Sequence, residues 1–163
     1  MSQPPKTPPT DNLKSTQTQA DILIKKAIAL HRQGNFKEAQ FNYEQTLKLQ
    51  PDHFDALQLL GVLFVQIKKY SEAIELLSQA LKINSNHAGA YSNRGIALKE
   101  LKRFDEALIS FDQAIAINPD YGDAYYNRGN TLMELKQFDE SLSSYNQAIA
   151  INPDYGDAYY NRG

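Results

Sequence analysis

The sequence predicts an all-α protein in which helix-turn-helix units stack into a solenoid. The first observation is an internal repeat: a shift of 34 residues brings residues 113–129 onto residues 147–163 without a mismatch. The same shift continues upstream through four units without a gap. The second observation is that apolar residues within each unit recur at spacings of three and four, which is typical of amphipathic helices. The third is a short polar break in mid-unit, as at Lys102–Arg103, which fits a tight turn.

Composition narrows the class of protein further. Of the 163 residues, 42% are hydrophobic and 22% are charged, as in ordinary soluble domains. The formal net charge of -2 gives no general attraction for DNA or RNA. The chain has no cysteine, which removes disulfides, thiolate nucleophiles and cysteine-based zinc sites. It has neither a long apolar run nor a secretory signal, so we expect no nucleic acid and no membrane as partner, and a cytoplasmic location.

The N-terminal segment differs in composition from the rest of the chain. Residues 1–17 contain four prolines and many Ser, Thr and Gln side chains. Such a segment buries too little apolar surface to offset the entropy lost on ordering. We therefore expect residues 1–17 to form a disordered tail and residues 18–163 to form the repeat array. Its units run over about 20–53, 54–87, 88–121 and 122–155, with a partial unit at 156–163.

Prolines and acidic residues predict where the helices begin and end. Because proline disfavours helix in the preceding residue, we expect second helices to end before Pro51, Pro119 and Pro153. The second unit has Ser85 at this position, and its second helix is expected to end less sharply. The acid after each proline is expected to cap the following helix, as Asp52, Asp120 and Asp154. Asp123 and Asp157 would complete a capping-box arrangement.

Small and large residues recur at fixed positions of the unit. A glycine inside a helix costs about 1 kcal/mol relative to alanine, so its recurrence at one position suggests that a neighbouring helix fills the space. These glycines are Gly61, Gly95, Gly129 and Gly163. Alanines recur at two positions of the second helix, as Ala39, Ala73 and Ala107 and as Ala80, Ala114 and Ala148. We expect the large core residues that complement them to be Tyr43, Leu77, Phe111 and Tyr145.

Together these positions resemble the tetratricopeptide repeat (TPR), which has a 34-residue period and a helix-turn-helix unit. The third unit matches its signature with Tyr91, Arg94–Gly95, Leu98, Ala107, Phe111, Ala114 and Pro119. The fourth unit matches it with Tyr125, Arg128–Gly129, Leu132, Ser141, Tyr145, Ala148 and Pro153. The resemblance covers residues 20–163. The first unit departs most, with Lys26–Ala27 in place of Leu-Gly, as terminal units often do because one face meets water.

The resemblance implies a right-handed superhelix whose first helices line a concave face. Arginines replace the usual leucine at one position, and we expect their stems to pack while their heads reach water or an acid. They are Arg94, Arg128 and Arg162. The carboxylate clamp that some members of the family use is not matched, because its cationic positions hold Gly122, Asn127, Gly156 and Asn161.

Asparagines are the best candidates for a binding role. Asn93, Asn127 and Asn161 share one position, which faces the groove in related repeats. Each amide has a donor and an acceptor, so the series could hold the backbone of an extended peptide. This series is similar to that of the repeat arm of O-linked N-acetylglucosamine transferases. Tyr126 and Tyr160, one residue earlier, could add flat apolar contacts.

No group of residues suggests catalysis, and we predict no catalytic, cofactor-binding or metal-binding residues in this chain. His53 and His87 lie 34 residues apart just before a helix, which favours a structural role, and His31 has no second histidine at helical spacing. The acidic pairs Asp105–Glu106 and Asp139–Glu140 recur with the repeat and suit helix starts.

The predicted function is protein–protein interaction through the concave groove, with an extended peptide or protein as partner. The alternative is that the chain forms the substrate-presenting arm of a larger enzyme, with a glycosyltransferase similar to O-linked N-acetylglucosamine transferase as the leading example. A third interpretation follows from the stop at Gly163, halfway through a first helix. We expect apolar surface of the fourth unit to be partly uncovered there, which would favour self-association or a longer parent protein.

Overall fold

Helices alternate with short turns along the chain. The computed structural model describes the backbone of residues 9–162 and the side chains of residues 15–162, and this part is helical without strands. The helices are α1 (Pro9–Arg32), α2 (Phe36–Leu49), α3 (Phe54–Gln66), α4 (Tyr70–Ile83), α5 (Ala88–Glu100), α6 (Phe104–Ile117), α7 (Gly122–Glu134), α8 (Phe138–Ile151) and α9 (Gly156–Arg162). They pack as the antiparallel pairs α1/α2, α3/α4, α5/α6 and α7/α8, followed by α9. The predicted solenoid of helix pairs is confirmed. No helix in the described range combines the length and the apolar character needed to cross a bilayer.

The turn inside each unit uses a left-handed residue at one fixed position. This residue is Gly34 in the first unit, with φ of 77°, and Lys68, Lys102 and Lys136 in the others, with φ of 62°, 59° and 59°. The residue after it donates its backbone N–H to a carbonyl five residues earlier, as Arg103 does to Leu98 at 2.9 Å. This hydrogen bond closes the end of the first helix in the manner of a Schellman motif. The polar break predicted at Lys102–Arg103 is therefore a tight turn.

Within a unit, the first helix approaches the second at glycine. A Cβ atom added to Gly95 would lie 2.6 Å from Cε1 of Phe111, and one added to Gly129 would lie 2.6 Å from Cε1 of Tyr145. At Gly61 the nearest atom would be Cγ of Leu77 at 2.7 Å. The prediction that a neighbouring helix fills the space beside these glycines is confirmed. Gly163 lies outside the described residues.

Between units, small residues at the third position of the first helix allow close packing. Four alanines at this position are fully buried against the preceding second helix: Ala56, Ala90, Ala124 and Ala158. The first unit has Ile22 there instead, 62% exposed, and exposed Lys26 follows one turn later. Within the described residues no second helix packs in front of α1, so no small buried residue is needed at this position, which explains why this unit departs most from the repeat pattern.

The caps of the first helices differ from the prediction. His53 and His87 are the N-cap residues of α3 and α5, and each Nδ1 accepts a hydrogen bond from the backbone N–H of Ala56 or Ala90, at 3.3 and 3.0 Å. Tyr121 is the N-cap of α7 without a side-chain bond. The prediction that the acid after each proline is the cap is wrong, because each helix begins one residue later than that prediction requires. The structural role predicted for His53 and His87 is confirmed.

The ends of the second helices are set by asparagine as well as by proline. Asn118 and Asn152 each accept a hydrogen bond through Oδ1 from the backbone N–H two residues later, at 3.2 Å. Asn84 does the same at 3.0 Å, although Ser85 follows it in place of proline. As a result α4 ends at Ile83, the position equivalent to Ile117 in α6. The expectation that α4 ends less sharply is wrong, because the asparagine side chain closes the turn.

The first helix starts earlier than the predicted tail allows. α1 begins at Pro9, inside the segment 1–17 that composition marks as disordered, whereas residues 1–8 lie outside the described residues. Amino-acid composition reflects only the apolar area that a segment buries by itself. Residues 9–17 instead extend a helix whose later turns are anchored by buried Ala20, Ile24 and Ala27, and extending a helix is far easier than nucleating one.

Candidate functional site

The first helices form the inner face of the array. α1 contacts α3, α3 contacts α5, and α5 contacts α7, whereas successive second helices are further apart in the described part of the chain. A curved stack whose first helices are the closer set has those helices on its concave side. The asparagine positions chosen from the sequence all lie on α5, α7 and α9, which belong to this set.

Asn93 and Asn127 adopt the same arrangement one unit apart. Nδ2 of Asn93 donates to the carbonyl of Gly89 at 2.7 Å, and Nδ2 of Asn127 donates to the carbonyl of Asp123 at 2.8 Å. Both side chains are partly buried. Each hydrogen bond uses one of two amide hydrogens, so a second hydrogen and the Oδ1 acceptor are left without a partner among the described residues.

Asn161 is held differently, by residues of the preceding unit. Its Nδ2 donates to the hydroxyl of Tyr126 at 3.0 Å and to Oδ1 of Asn130 at 3.1 Å. Oδ1 of Asn130 also accepts from the hydroxyl of Tyr145 at 2.8 Å. The three asparagines that the sequence predicts as one series are therefore not equivalent. Asn93 and Asn127 are arranged alike, whereas Asn161 joins a hydrogen-bond network between units.

The two tyrosines predicted beside the asparagines have different surroundings. The ring of Tyr126 packs against Tyr155, with centroids 4.9 Å apart, and against Tyr145 at 6.1 Å. The hydroxyl of Tyr155 donates to Asp123 at 2.9 Å, and burial together with this acid raises the pKa of Tyr155. Tyr126 thus belongs to a packed cluster between units. Tyr160 occupies the same position in the last unit and is 86% exposed.

A cavity that the sequence did not predict lies between α1 and α3. It has a volume of about 700 Å³, and its wall includes Ile28, His31, Arg32, Phe36 and Leu59. His31 is held there by two hydrogen bonds: its Nδ1 lies 3.2 Å from the hydroxyl of Tyr43, and its Nε2 lies 2.9 Å from Oε1 of Gln66. Because Oε1 of Gln66 can only accept, Nε2 carries a hydrogen, and in the neutral ring Nδ1 accepts from Tyr43.

Burial makes the Tyr43 hydroxyl a weaker acid than that of an ordinary tyrosine. The side chain is fully buried, and this raises its pKa to about 12, with the nearby Arg32 acting in the opposite direction. Tyr43 therefore keeps its proton at neutral pH and can donate a hydrogen bond to Nδ1 of the neutral His31 ring. In the sequence this cavity corresponds to fixed positions of the repeat. Positions 9, 12 and 13 of the first unit (Ile28, His31 and Arg32) line it together with position 6 of the second unit (Leu59).

The arginines that replace the usual leucine stabilise the array rather than line this cavity. Nε of Arg128 donates to Asp112 of the preceding unit at 2.7 Å, and Nη1 donates to Ser144 of its own unit at 2.7 Å. Nε of Arg94 similarly donates to Ser110 at 3.2 Å. The expectation that the heads reach water or a nearby acid is confirmed for Arg128, which links two units.

Comparison with known proteins agrees with this architecture. Two family models, both described as tetratricopeptide repeat, match residues 30–94 and residues 88–121 and 122–155. No curated protein sequence matches the chain significantly. Many solved structures match, among them that of MamA, with a TM-score of 0.83 and 27% identity over 88% of this chain and 79% of that chain.

Two further solved structures share the fold at lower identity. One is PilF of Pseudomonas aeruginosa, with a TM-score of 0.80 and 21% identity over 91% of this chain and 68% of that chain. The other is YrrB, described as a TPR protein with an unusual peptide-binding site, with a TM-score of 0.78 and 24% identity over 94% of this chain and 79% of that chain. From the matched repeats and the shared fold, the chain belongs to the tetratricopeptide repeat family of helical protein-interaction modules.

Proposed function

We propose that the concave groove binds an extended segment of a partner protein, with Asn93, Asn127 and Asn161 contacting its backbone and Tyr126 and Tyr160 contacting its side chains. The observation that carries the proposal is the matched pair Asn93 and Asn127. Each amide is oriented by one hydrogen bond to its own helix and retains a donor and an acceptor. That combination suits a peptide group, which offers one N–H and one C=O.

The fold is compatible with this use. YrrB, which shares the fold, is described as having a peptide-binding site. In the present chain, Asn161 lines a cavity of about 320 Å³ on the same face, together with Lys99, Asn130 and Glu134. Polar groups on this face that can pair with a peptide backbone support binding that depends little on the sequence of the bound segment.

The experiment is a selection of peptides from a displayed random library on the wild-type chain, followed by affinity measurements on variants. In Asn93→Ala/Asn127→Ala, loss of at least one hydrogen bond per asparagine, each worth about 1 kcal/mol, should weaken selected peptides by at least about 30-fold. The matched control is Asn146→Ala on α8, which should change affinity by less than about twofold. Equal affinities of the wild type and the double variant, with both folded, would contradict the proposal.

A second candidate function is the substrate-presenting arm of a larger enzyme, similar to the O-linked N-acetylglucosamine transferases. The asparagine positions support it. The test is to read the coding sequence beyond codon 163 and to assay the full product for glycosyl transfer. A product without a catalytic domain would exclude this function and leave peptide binding in the groove unaffected.

A third candidate is self-association through the C-terminal end. Phe138 and Leu142, one turn apart on α8, are 59% and 44% exposed, and Tyr160 on α9 is 86% exposed. Exposed apolar side chains of this kind favour association. Light scattering should show a mass that rises with concentration, and Phe138→Ser/Tyr160→Ser should abolish the rise. A constant monomer mass at high concentration would contradict this candidate.

A further inference from the structure

The groove contains two cavities built from the same positions of different units. The cavity between α1 and α3, here the N-terminal cavity, is lined in part by Ile28, His31, Arg32, Tyr43 and Leu59. The cavity between α7 and α9, here the C-terminal cavity, is lined in part by Asn130, Met133, Glu134, Tyr145 and Asn161. Each residue of the second set follows its counterpart by 102 residues, which is three periods of 34. The repeat thus places the same five positions around both cavities, and the side chains differ at all of these positions except the shared tyrosine.

The two cavities differ in polarity and in charge. Ile28 and Leu59 stand where the C-terminal cavity has two asparagines, and Arg32 stands at the position of Glu134. The volumes are about 700 and 320 Å³. Neither Glu134 nor Arg32 takes part in a salt bridge among the described residues, and Lys99 of the C-terminal cavity pairs with Glu100 at 3.5 Å. The N-terminal cavity therefore has a more apolar lining than the C-terminal cavity, and its wall includes a cation without a salt-bridge partner among the described residues.

A third cavity next to the N-terminal cavity carries further positive side chains. It has a volume of about 570 Å³ and adjoins the N-terminal cavity, since Gly34 and Phe36 line both. Its wall carries Lys37 and Lys69 against one acid, Glu38. Together with Arg32, the walls of these two cavities carry three cations and one acid, on a chain whose net charge is -2. Nζ of Lys69 lies 5.1 Å from the ring centroid of Phe64.

We propose that the N-terminal cavity seats an aromatic or long aliphatic side chain of an acidic segment within a partner protein. Acidic side chains next to this anchor contact Arg32, Lys37 and Lys69. The proposal rests on the proposed function, because it names the peptide chemistry recognised at one end of the same groove. Charge complementarity selects this occupant, and the cavity volume lies within the usual range for ligand sites, about 300–1,000 Å³.

The wall of the N-terminal cavity is rigid enough to select a side chain. His31 is held from both sides by Tyr43 and Gln66, and its ring meets Phe36 edge to face with centroids 5.7 Å apart. A wall fixed before binding loses little conformational entropy on binding. A segment that also reaches the C-terminal cavity spans three helix spacings, about 27 Å, which is about eight extended residues.

The probe is a labelled peptide of about twelve residues, blocked at both ends, with one phenylalanine flanked by aspartates and a Ser/Gly tail. Its affinity is measured by fluorescence anisotropy at low and high salt. Arg32→Gln should weaken binding about tenfold and reduce the salt dependence, because one charged contact is lost. The matched control is Lys82→Gln, which removes one positive charge from an exposed position on α4 outside both cavities and should change affinity less than about twofold. Replacing the phenylalanine of the probe by serine should weaken binding at least about tenfold.

The outcomes separate this inference from the proposed function. No binding of the probe to the wild type, or equal affinities for the wild type and Arg32→Gln, would overturn the acidic-anchor inference. If library-selected peptides still lose affinity in Asn93→Ala/Asn127→Ala, the proposed function stands without it. If those peptides are also unaffected, both fail. A probe with lysines in place of aspartates that binds equally well would likewise overturn the inference.

Discussion

Replacing Gly95 by alanine tests the closest contact between the two helices of a unit. The new Cβ would lie 2.6, 2.8 and 2.9 Å from three atoms of the Phe111 ring, and that ring is fully buried. Overpacking of this kind costs about 1–3 kcal/mol, and the higher helix propensity of alanine returns about 1 kcal/mol. Because the obstacle is a rigid ring, we expect a net loss of about 1–2 kcal/mol in the free energy of unfolding.

Urea unfolding followed by circular dichroism measures this loss. The matched control is Gly122→Ala, where the nearest atom to the new Cβ is Cγ2 of Ile151 at 3.5 Å, an ordinary contact, so stability should be unchanged or slightly higher. In a Phe111→Ala background, which removes the three ring atoms that the new Cβ approaches, Gly95→Ala should cost less. An equal cost of Gly95→Ala in both backgrounds would refute the reasoning.

Three further predictions concern the turns, the buried tyrosine and the link between units. Lys102→Gly should raise the free energy of unfolding by about 0.5–1 kcal/mol in urea titration, because φ of 59° favours glycine, whereas Lys99→Gly inside α5 should lower it. Tyr43 has a pKa of about 12 in the folded chain against 10.0 when unfolded, so its contribution is complete below pH 10 and is lost as pH rises towards 12. Thermal unfolding should therefore show a smaller loss of stability over that window in Tyr43→Phe than in the wild type. Arg128→Ala should lower stability by about 0.5–1 kcal/mol, and a double-mutant cycle with Asp112→Ala should show coupling that falls with added salt.

The fold was predictable because the repeat presents the same information several times. The glycine at one position and the large residue opposite it appear in successive units, as Gly95 with Phe111 and Gly129 with Tyr145, and the structure brings each pair into contact. Periodic patterns report burial, and burial determines which faces of these helices pack.

The caps and the N-terminal cavity were harder to predict, for a physical reason. A cap depends on backbone angles at a single residue, and His53 takes that place although aspartate is the commoner cap. The cavity depends on four positions drawn from two units, and their chemistry changes from Ile28 and Leu59 at one end to Asn130 and Asn161 at the other. The chemistry of this cavity is therefore determined by the residues that differ between units, and the pattern that the units share does not predict it.

The central claim is that partner segments bind on the face formed by the first helices. The most direct measurement is a ¹H–¹⁵N NMR titration of the chain with a library-selected peptide. We expect the side-chain amide signals of Asn93 and Asn127 to shift with a common dissociation constant, while the amide of Asn146 on α8 stays in place. Shifts confined to the second helices, with Asn93 and Asn127 unmoved at saturation, would contradict the claim.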